Sequence, residues 1–341
     1  MIKLSFNIHF LDLMKFFTLI LSLFSILTLT ACQNTMLKDS AVSRPQFTLK
    51  DASSYIQKDR HKRQDRPTIA LVLGSGGARG YAHIGVIEIL EQRGIKPDFI
   101  VGTSAGSIVG SIYASGKTAQ ELREIALNLQ VNDVRDFNIG IQGFFDGAKV
   151  ENYVNKQVNN HSLEQLSIPM YVVATELKNG HQVVFNQGNT GQAVRASISI
   201  PSMFVPAKID GKDYVDGGLV SPVPVNVAKE LGADIVIAVD ILAQPKHTET
   251  SNVWGMFNQN INIMQNKIAY SELKNADIVI QPNLKEKSHI FDVKGRELTI
   301  QAGIEAALTK VNQLDSVSNH LNQQFDAINI EHSNSPSKIS K

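Results

Sequence analysis

Between residues 68 and 110 the chain passes twice from a short apolar run, through glycines, directly into a helix-like stretch. The first passage is "TIALVLG", then "SGGARG", then "YAHIGVIEILEQRG"; the second is "PDFIVG" followed by "TSAGSIVG". Short aliphatic, partly β-branched runs without polar alternation are what a parallel sheet buries on both faces. After the first turn Ala82, Val86, Ile89 and Leu90 share a helical face, and Gly94 stops the helix. Strand, tight turn and helix, repeated in that order, imply an α/β fold.

The alternation continues down the chain. Residues 170–175, 181–186, 233–240 and 276–282 are further buried-strand candidates. Within residues 298–314, Ile300, Ile304, Ala307, Leu308, Val311 and Leu314 recur at helical spacing. The expectation is a mainly parallel central sheet with helices on both faces. At 341 residues and 43% hydrophobic content the chain can fill one large domain or two modest ones. Its 33 Lys and Arg against 32 Asp and Glu leave a formal charge of +1, with no long basic run. Electrostatics therefore predict neither nucleic acid nor an acidic partner.

The beginning of the chain departs from this average. Residues 14–32, "MKFFTLILSLFSILTLTAC", set one lysine before an apolar run that ends in small residues, the pattern of a signal peptide. Met14-Lys15 makes a more typical start than Met1. Cys32, the chain's single cysteine, follows Leu29-Thr30-Ala31 and resembles the lipidated cysteine of a bacterial lipobox; the other reading is a lone thiol ending a transmembrane anchor. Acylation would attach the protein to a membrane without spanning it, each buried methylene contributing about 0.8 kcal/mol. In enteric-type lipoproteins a residue such as Gln33, other than Asp, after the cysteine favours sorting to the outer membrane, facing the periplasm. A lipidated Cys32 leaves no intrachain disulfide. Residues 33–66 are polar and read as a tether, in which "RHKR" at 60–63 is solvated linker or a contact for anionic headgroups.

Three motifs carry chemistry. Gly102-Thr103-Ser104-Ala105-Gly106 fits GxSxG between a strand and a helix, the setting of a nucleophile elbow. A serine on that strained turn projects outward only where residues two before and two after lack side chains. Gly76-Gly77-Ala78-Arg79-Gly80 opens the first helix, and such a turn offers backbone N–H groups to an anion. A dinucleotide fingerprint fails here: counting from Gly74, the sixth position of GxGxxG is Arg79, and no acidic residue ends the next strand. Asp216-Gly217-Gly218 follows a strand and, alone, is an ordinary Asp-Gly turn.

Together, in order and spacing, the three resemble the patatin-like phospholipases over about residues 68–245. The segments 194–207, "VRASISIPSMFVPA", and 143–147, "GFFDG", add to the likeness, and "GARGYAHIGVIEIL" is most similar to the bacterial and neuropathy-target-esterase-like branch. Ser75 stands where many members carry another glycine. The resemblance implies a three-layer α/β/α sandwich and a Ser–Asp dyad of Ser104 and Asp216 with no histidine. It implies an oxyanion hole from Gly76, Gly77, Ala78, Arg79 and Gly80, supported by Gly102, Gly106, Gly217 and Gly218. Arg79 would reinforce that field, pair with a lipid phosphate, or form a structural salt bridge. His83 is expected in packing or at the rim, not as a base, and Asp146 and Asp240 are fallback bases.

The implied activity is hydrolysis of a phospholipid, lysophospholipid or related acyl ester through an acyl-enzyme, with Asp216 raised in pKa by burial and with no metal or organic cofactor. An esterase or thioesterase for soluble acyl groups, and a lipid-binding envelope lipoprotein without turnover, are the alternatives. The expected division is a signal peptide over 1–31, lipidated Cys32 and tether to 66, a catalytic domain over 67–245, a C-terminal α/β extension over 246–330 that packs on it, and a disordered tail over 331–341.

Overall fold

The structure, a computed structural model, describes residues 66–138, 143–245, 250–284 and 295–319. The apolar leader, Cys32, most of the tether and the tail at 331–341 lie outside the described residues. In chain order the elements are β1 (Ile69–Leu73), α1 (Tyr81–Gln92), β2 (Phe99–Thr103), α2 (Ala105–Ala114), α3 (Ala119–Asn128), α4 (Val131–Val134) and α5 (Ala148–Gln157). Next come β3 (Met170–Glu176), β4 (Gln182–Phe185), α6 (Thr190–Ile198), β5 (Ala207–Ile209), β6 (Lys212–Asp216) and α7 (Val225–Glu230). The last are β7 (Ile235–Val239), α8 (Val253–Leu273), β8 (Ile278–Ile280) and α9 (Arg296–Leu308).

All of them build on one eight-stranded sheet of order β5-β6-β3-β2-β1-β7-β8, with β4 also paired to β3. The pairs β1–β2, β1–β7, β2–β3 and β7–β8 are parallel. Every residue of β1 is buried, because alternate side chains feed two separate cores. Ile69, Leu71 and Leu73 join the core under α1, α2, α3, α5, α6 and α9; Ala70 and Val72 join the core under α7 and α8. The result is the three-layer α/β/α sandwich that the apolar runs and the motifs imply.

Beside the mainly parallel strands, β4 and β6 pair antiparallel to β3 and β5 antiparallel to β6, and one expected helix is interrupted. The strand at 181–186 runs antiparallel, as β4, because only a tight turn separates it from β3; a parallel return needs a crossover connection. The helix expected over 298–314 is broken: α9 ends at Leu308 and helix resumes over 311–319.

Register around β3 explains how the two halves of the site meet. β4 pairs with residues 172–175 of β3 and so takes up one edge. β2 pairs with residues 170–173 and β6 with 174–176, so these two share the other edge end to end. Val173 faces Thr103 and the next residue, Ala174, faces Asp216. The carboxyl end of parallel β2 therefore abuts the carboxyl end of antiparallel β6, and residues 112 apart in sequence become neighbours.

Candidate active site

Ser104 is the residue between β2 and α2, with φ 53° and ψ −119°, outside the regions an L-residue ordinarily occupies. Close packing holds it there. A Cβ at Gly106 would stand 2.0 Å from the Leu73 carbonyl oxygen, and one at Gly102 would stand 2.7 Å from that of Gly106. Glycine is thus required on both sides of the serine for steric reasons. The Ser104 N–H donates to Ser197 Oγ at 2.8 Å, and Ser197 Oγ donates to the Val173 carbonyl at 2.6 Å, which ties the elbow to β3.

Ser104 Oγ donates to Asp216 Oδ2 at 2.6 Å, and both residues are buried. The carboxylate's other oxygen accepts the Gly218 N–H at 2.6 Å. Its backbone is pinned as well: Asp216 N–H donates to the Ser199 carbonyl, and Thr175 Oγ1 donates to the Asp216 carbonyl. Burial pushes the Asp216 carboxyl up to about 6, while the hydrogen bonds from Ser104 and Gly218 pull it partly back. At neutral pH it is an ionised carboxylate of enhanced basicity beside a serine hydroxyl.

One turn of 3₁₀ helix, Gly77–Gly80, follows β1 and faces the same space. The N–H groups of Gly77 and Ala78 meet no acceptor among the described residues, as expected at the start of a helical turn. Below this turn and Ser104 lies a cavity of about 160 Å³. Its lining is almost wholly apolar, with Ile84, Ile108, Val109, Ile112, Leu122, Ile125, Leu129, Val134, Val150, Tyr153 and Phe204 among its residues. The patatin-like phospholipase family model matches residues 71–229, the span from β1 to α7 that holds every element just described. These residues are a patatin-like phospholipase domain.

Relatives place this domain in the branch named for the NTE proteins. It is 40% identical over 178 residues to an uncharacterized NTE family protein of Mycobacterium tuberculosis, a match covering 51% of this chain and 49% of that one. Human patatin-like phospholipase domain-containing protein 6 is 35% identical over 186 residues, 52% of this chain and 14% of the relative. The chain thus spans about half the length of the mycobacterial relative and less of the human one. VipD from Legionella pneumophila shares the fold, with a TM-score of 0.53 over 74% of this chain and 67% of that chain at 15% identity.

The remaining candidate residues sit elsewhere in the patatin-like domain. Arg79 turns away from the cavity: its Nε donates to the Ile241 carbonyl at 2.8 Å and its backbone N–H to Gly76. Gly76 is pressed against Ile241, and Gly80 against Ala105, so both serve packing of the loop. Gly217 is held 2.3 Å, measured from its would-be Cβ, from the Val173 carbonyl. His83 is fully buried, and its Nε2 donates to the Gly74 carbonyl at 2.9 Å. Asp146 pairs with Arg195, and Asp240 accepts from the Leu242 N–H and from Gln281, so neither meets a serine. Ser197, Ser199 and the cavity walls from α3 and α5 are parts of the site that motif reading misses. Ser197 and Ser199 do fall inside the family-like segment 194–207, which is where a signal for them exists.

Proposed function

We propose that the protein hydrolyses acyl ester bonds of membrane lipids, as a phospholipase A or lysophospholipase, by a Ser–Asp dyad. The observation that carries this reading is Ser104: a strained serine, 2.6 Å from a buried carboxylate, opening on an apolar cavity. In the first step Asp216 takes the hydroxyl proton as Ser104 Oγ attacks the ester carbonyl. The Gly77 and Ala78 N–H groups receive the developing oxyanion, an effect of about 3–4 kcal/mol per donor in comparable enzymes. Protonated Asp216 then returns the proton to the leaving alkoxide, and the acyl chain stays in the cavity as a Ser104 ester. Asp216 then takes a proton from the attacking water and passes it to Ser104 Oγ as the acyl–Oγ bond breaks, which releases the fatty acid and restores the dyad.

The family match and its relatives support lipid ester hydrolysis, and the narrow apolar cavity supports an acyl chain over a polar acyl group. Fatty acid release from phospholipid and lysophospholipid vesicles tests the proposal, with wild type, Ser104→Ala and Asp216→Asn compared. Release lost in both variants is expected; release that persists in Asp216→Asn would remove the assigned base. Acylation of Cys32 belongs to the same proposal, and metabolic labelling with a fatty acid should disappear in Cys32→Ala.

A further inference from the structure

Eleven large apolar side chains are exposed among the described residues, and five of them lie on α8: Val253, Met256, Ile263, Met264 and Tyr270. At 100° per residue these five fall within about a third of the helix circumference. From Val253 to Tyr270 they form a stripe about 26 Å long. The other exposed positions of the helix face are Asn260, Lys267 and Ser271. A solvent face of this composition reverses the usual pattern for a surface helix.

The stripe cannot rotate inward. On the opposite side Ala269 packs in the core under the sheet, and Glu272 is buried, accepting from Ser221 Oγ. Gln259 and Asn266 donate to the carbonyls of Pro245 and Ala243. Gln265 reaches Gly218, beside the catalytic carboxylate.

Its charge is one-sided. Of the two charged residues of α8, Lys267 is exposed and Glu272 is buried; Lys274 follows, its ammonium 4.6 Å from the Tyr270 ring centroid. Asp277, farther on, is paired with Lys229. We propose that the α8 stripe is a docking surface for a lipid bilayer that contains anionic headgroups. Val253, Met256, Ile263 and Met264 enter the headgroup–acyl boundary, Tyr270 lies at the interface, and Lys267 and Lys274 extend to phosphates. A second copy seated two-fold on this stripe would bring no acidic residue to answer Lys267 or Lys274, because the exposed face of α8 carries none. Docking also holds the Asp216–Gly218 turn about one helix diameter, ~10 Å, from the lipid. The inference does not depend on the role assigned to Ser104.

The test uses the full chain with Cys32→Ser, carrying one new thiol, Ile263→Cys, labelled with a polarity-sensitive fluorophore. Gln301→Cys, exposed on α9 in the opposite helix layer, is the control. A blue shift at position 263, and none at 301, is expected on adding phosphatidylcholine vesicles that contain phosphatidylglycerol. Lys267→Glu with Lys274→Glu should weaken that partitioning by at least about tenfold. No shift at 263, an equal shift at 301, or indifference to the lysine reversals would overturn the proposal. A shift without vesicles that grows with protein concentration would assign the stripe to a second copy instead. Hydrolysis of a soluble ester by each labelled protein reports separately on the fold and the catalytic site.

Discussion

Among the described residues Ser104 and Ser221 both donate to buried carboxylates, and Ser104 lines the apolar cavity where Ser221 does not. Ser104 bonds Asp216 at 2.6 Å; Ser221 bonds Glu272 at 2.5 Å. Burial is the main cause that raises both carboxyls, to about 6 and about 7, and in each a serine and a backbone N–H pull the other way. Pairing and pKa therefore do not separate them. Backbone and surroundings do: Ser104 has positive φ and lines the apolar cavity beside free N–H groups, whereas Ser221 has neither feature among the described residues. Thr103, next to the elbow, donates to the Ser221 carbonyl, so the second pair braces the first from behind. On the proposed mechanism a hydrogen-bonded carboxylate supplies a base at either place, and strain with an open, anion-receptive side singles out Ser104 as the nucleophile.

The most direct way to break this contrast is to delete each hydroxyl. Ser104→Ala should lower kcat/KM by at least about 10⁴-fold and, because buried Asp216 also loses a partner, lower stability by about 1–3 kcal/mol. Ser221→Ala should leave kcat/KM within about tenfold, while the buried Glu272 loses a partner and stability falls by about 1–3 kcal/mol in denaturant titration. Equal losses of activity in two well-folded variants would erase the distinction.

Next in size is the elbow itself. In Gly106→Ala the new methyl meets the Leu73 carbonyl, so β1 and α2 must separate or the elbow must relax. A destabilisation of about 3 kcal/mol is expected, with activity lost even in the folded fraction. A variant of wild-type stability and activity would show that packing does not enforce the strain at Ser104.

The pH dependence sharpens the comparison further. Each raised carboxyl holds its proton to higher pH when folded than when unfolded, so the folded state binds more protons between the two values. Stability contributed by these groups then falls as pH rises, between about 4 and 6 for Asp216 and between about 4.5 and 7 for Glu272. Asp216→Asn should exceed wild type by about 3 kcal/mol at pH 8 and lose that advantage near pH 4. Glu272→Gln should behave alike in stability yet stay active, with the acid limb of kcat/KM still near pH 6. A limb that moves in Glu272→Gln would make Glu272 part of the chemistry.

What the sequence reveals of this site follows from which constraints are strict. Gly102 and Gly106 stand where any Cβ would strike backbone, so the elbow is legible as a motif. β1, β2, β3 and β7 are legible because burial on both faces leaves them as nearly continuous apolar runs, with polar Thr103, Thr175 and Glu176 only at the carboxyl ends of β2 and β3. The walls of the cavity are not. Ile125 on α3, and Val150 and Tyr153 on α5, carry the apolar spacing of any core-facing helix, and nothing in that spacing distinguishes lining a void from filling one. Ser197 is hidden because a serine bonding backbone leaves no periodic trace, and the direction of Arg79 depends on Ile241, far away in sequence. The antiparallel turn before β4 does have a local sign, Asn179-Gly180, with Gly180 at φ 72°.

The smallest expected effect concerns how the proposed oxyanion loop is held. Gly74 begins that loop; its N–H donates to Val239, and its carbonyl accepts from His83 Nε2. Burial holds His83 down at about 4, so it is neutral at working pH with its proton on Nε2, and Nδ1 is left without a partner. A neutral donor fixed to α1 is suited to positioning the loop and unsuited to general-base work. His83→Phe keeps a ring of similar shape and leaves the Gly74 carbonyl unpaired. Stability should fall by about 1–2 kcal/mol, and kcat by about tenfold at unchanged KM as the Gly77 and Ala78 donors lose their aim. His83→Gln, which can donate to the same carbonyl, should recover part of both. A stability loss with kcat untouched would mean that β1 and β7 hold the loop unaided. A kcat loss approaching that of Ser104→Ala, with the acid limb displaced from pH 6, would shift the proton-transfer role toward the histidine and away from Asp216.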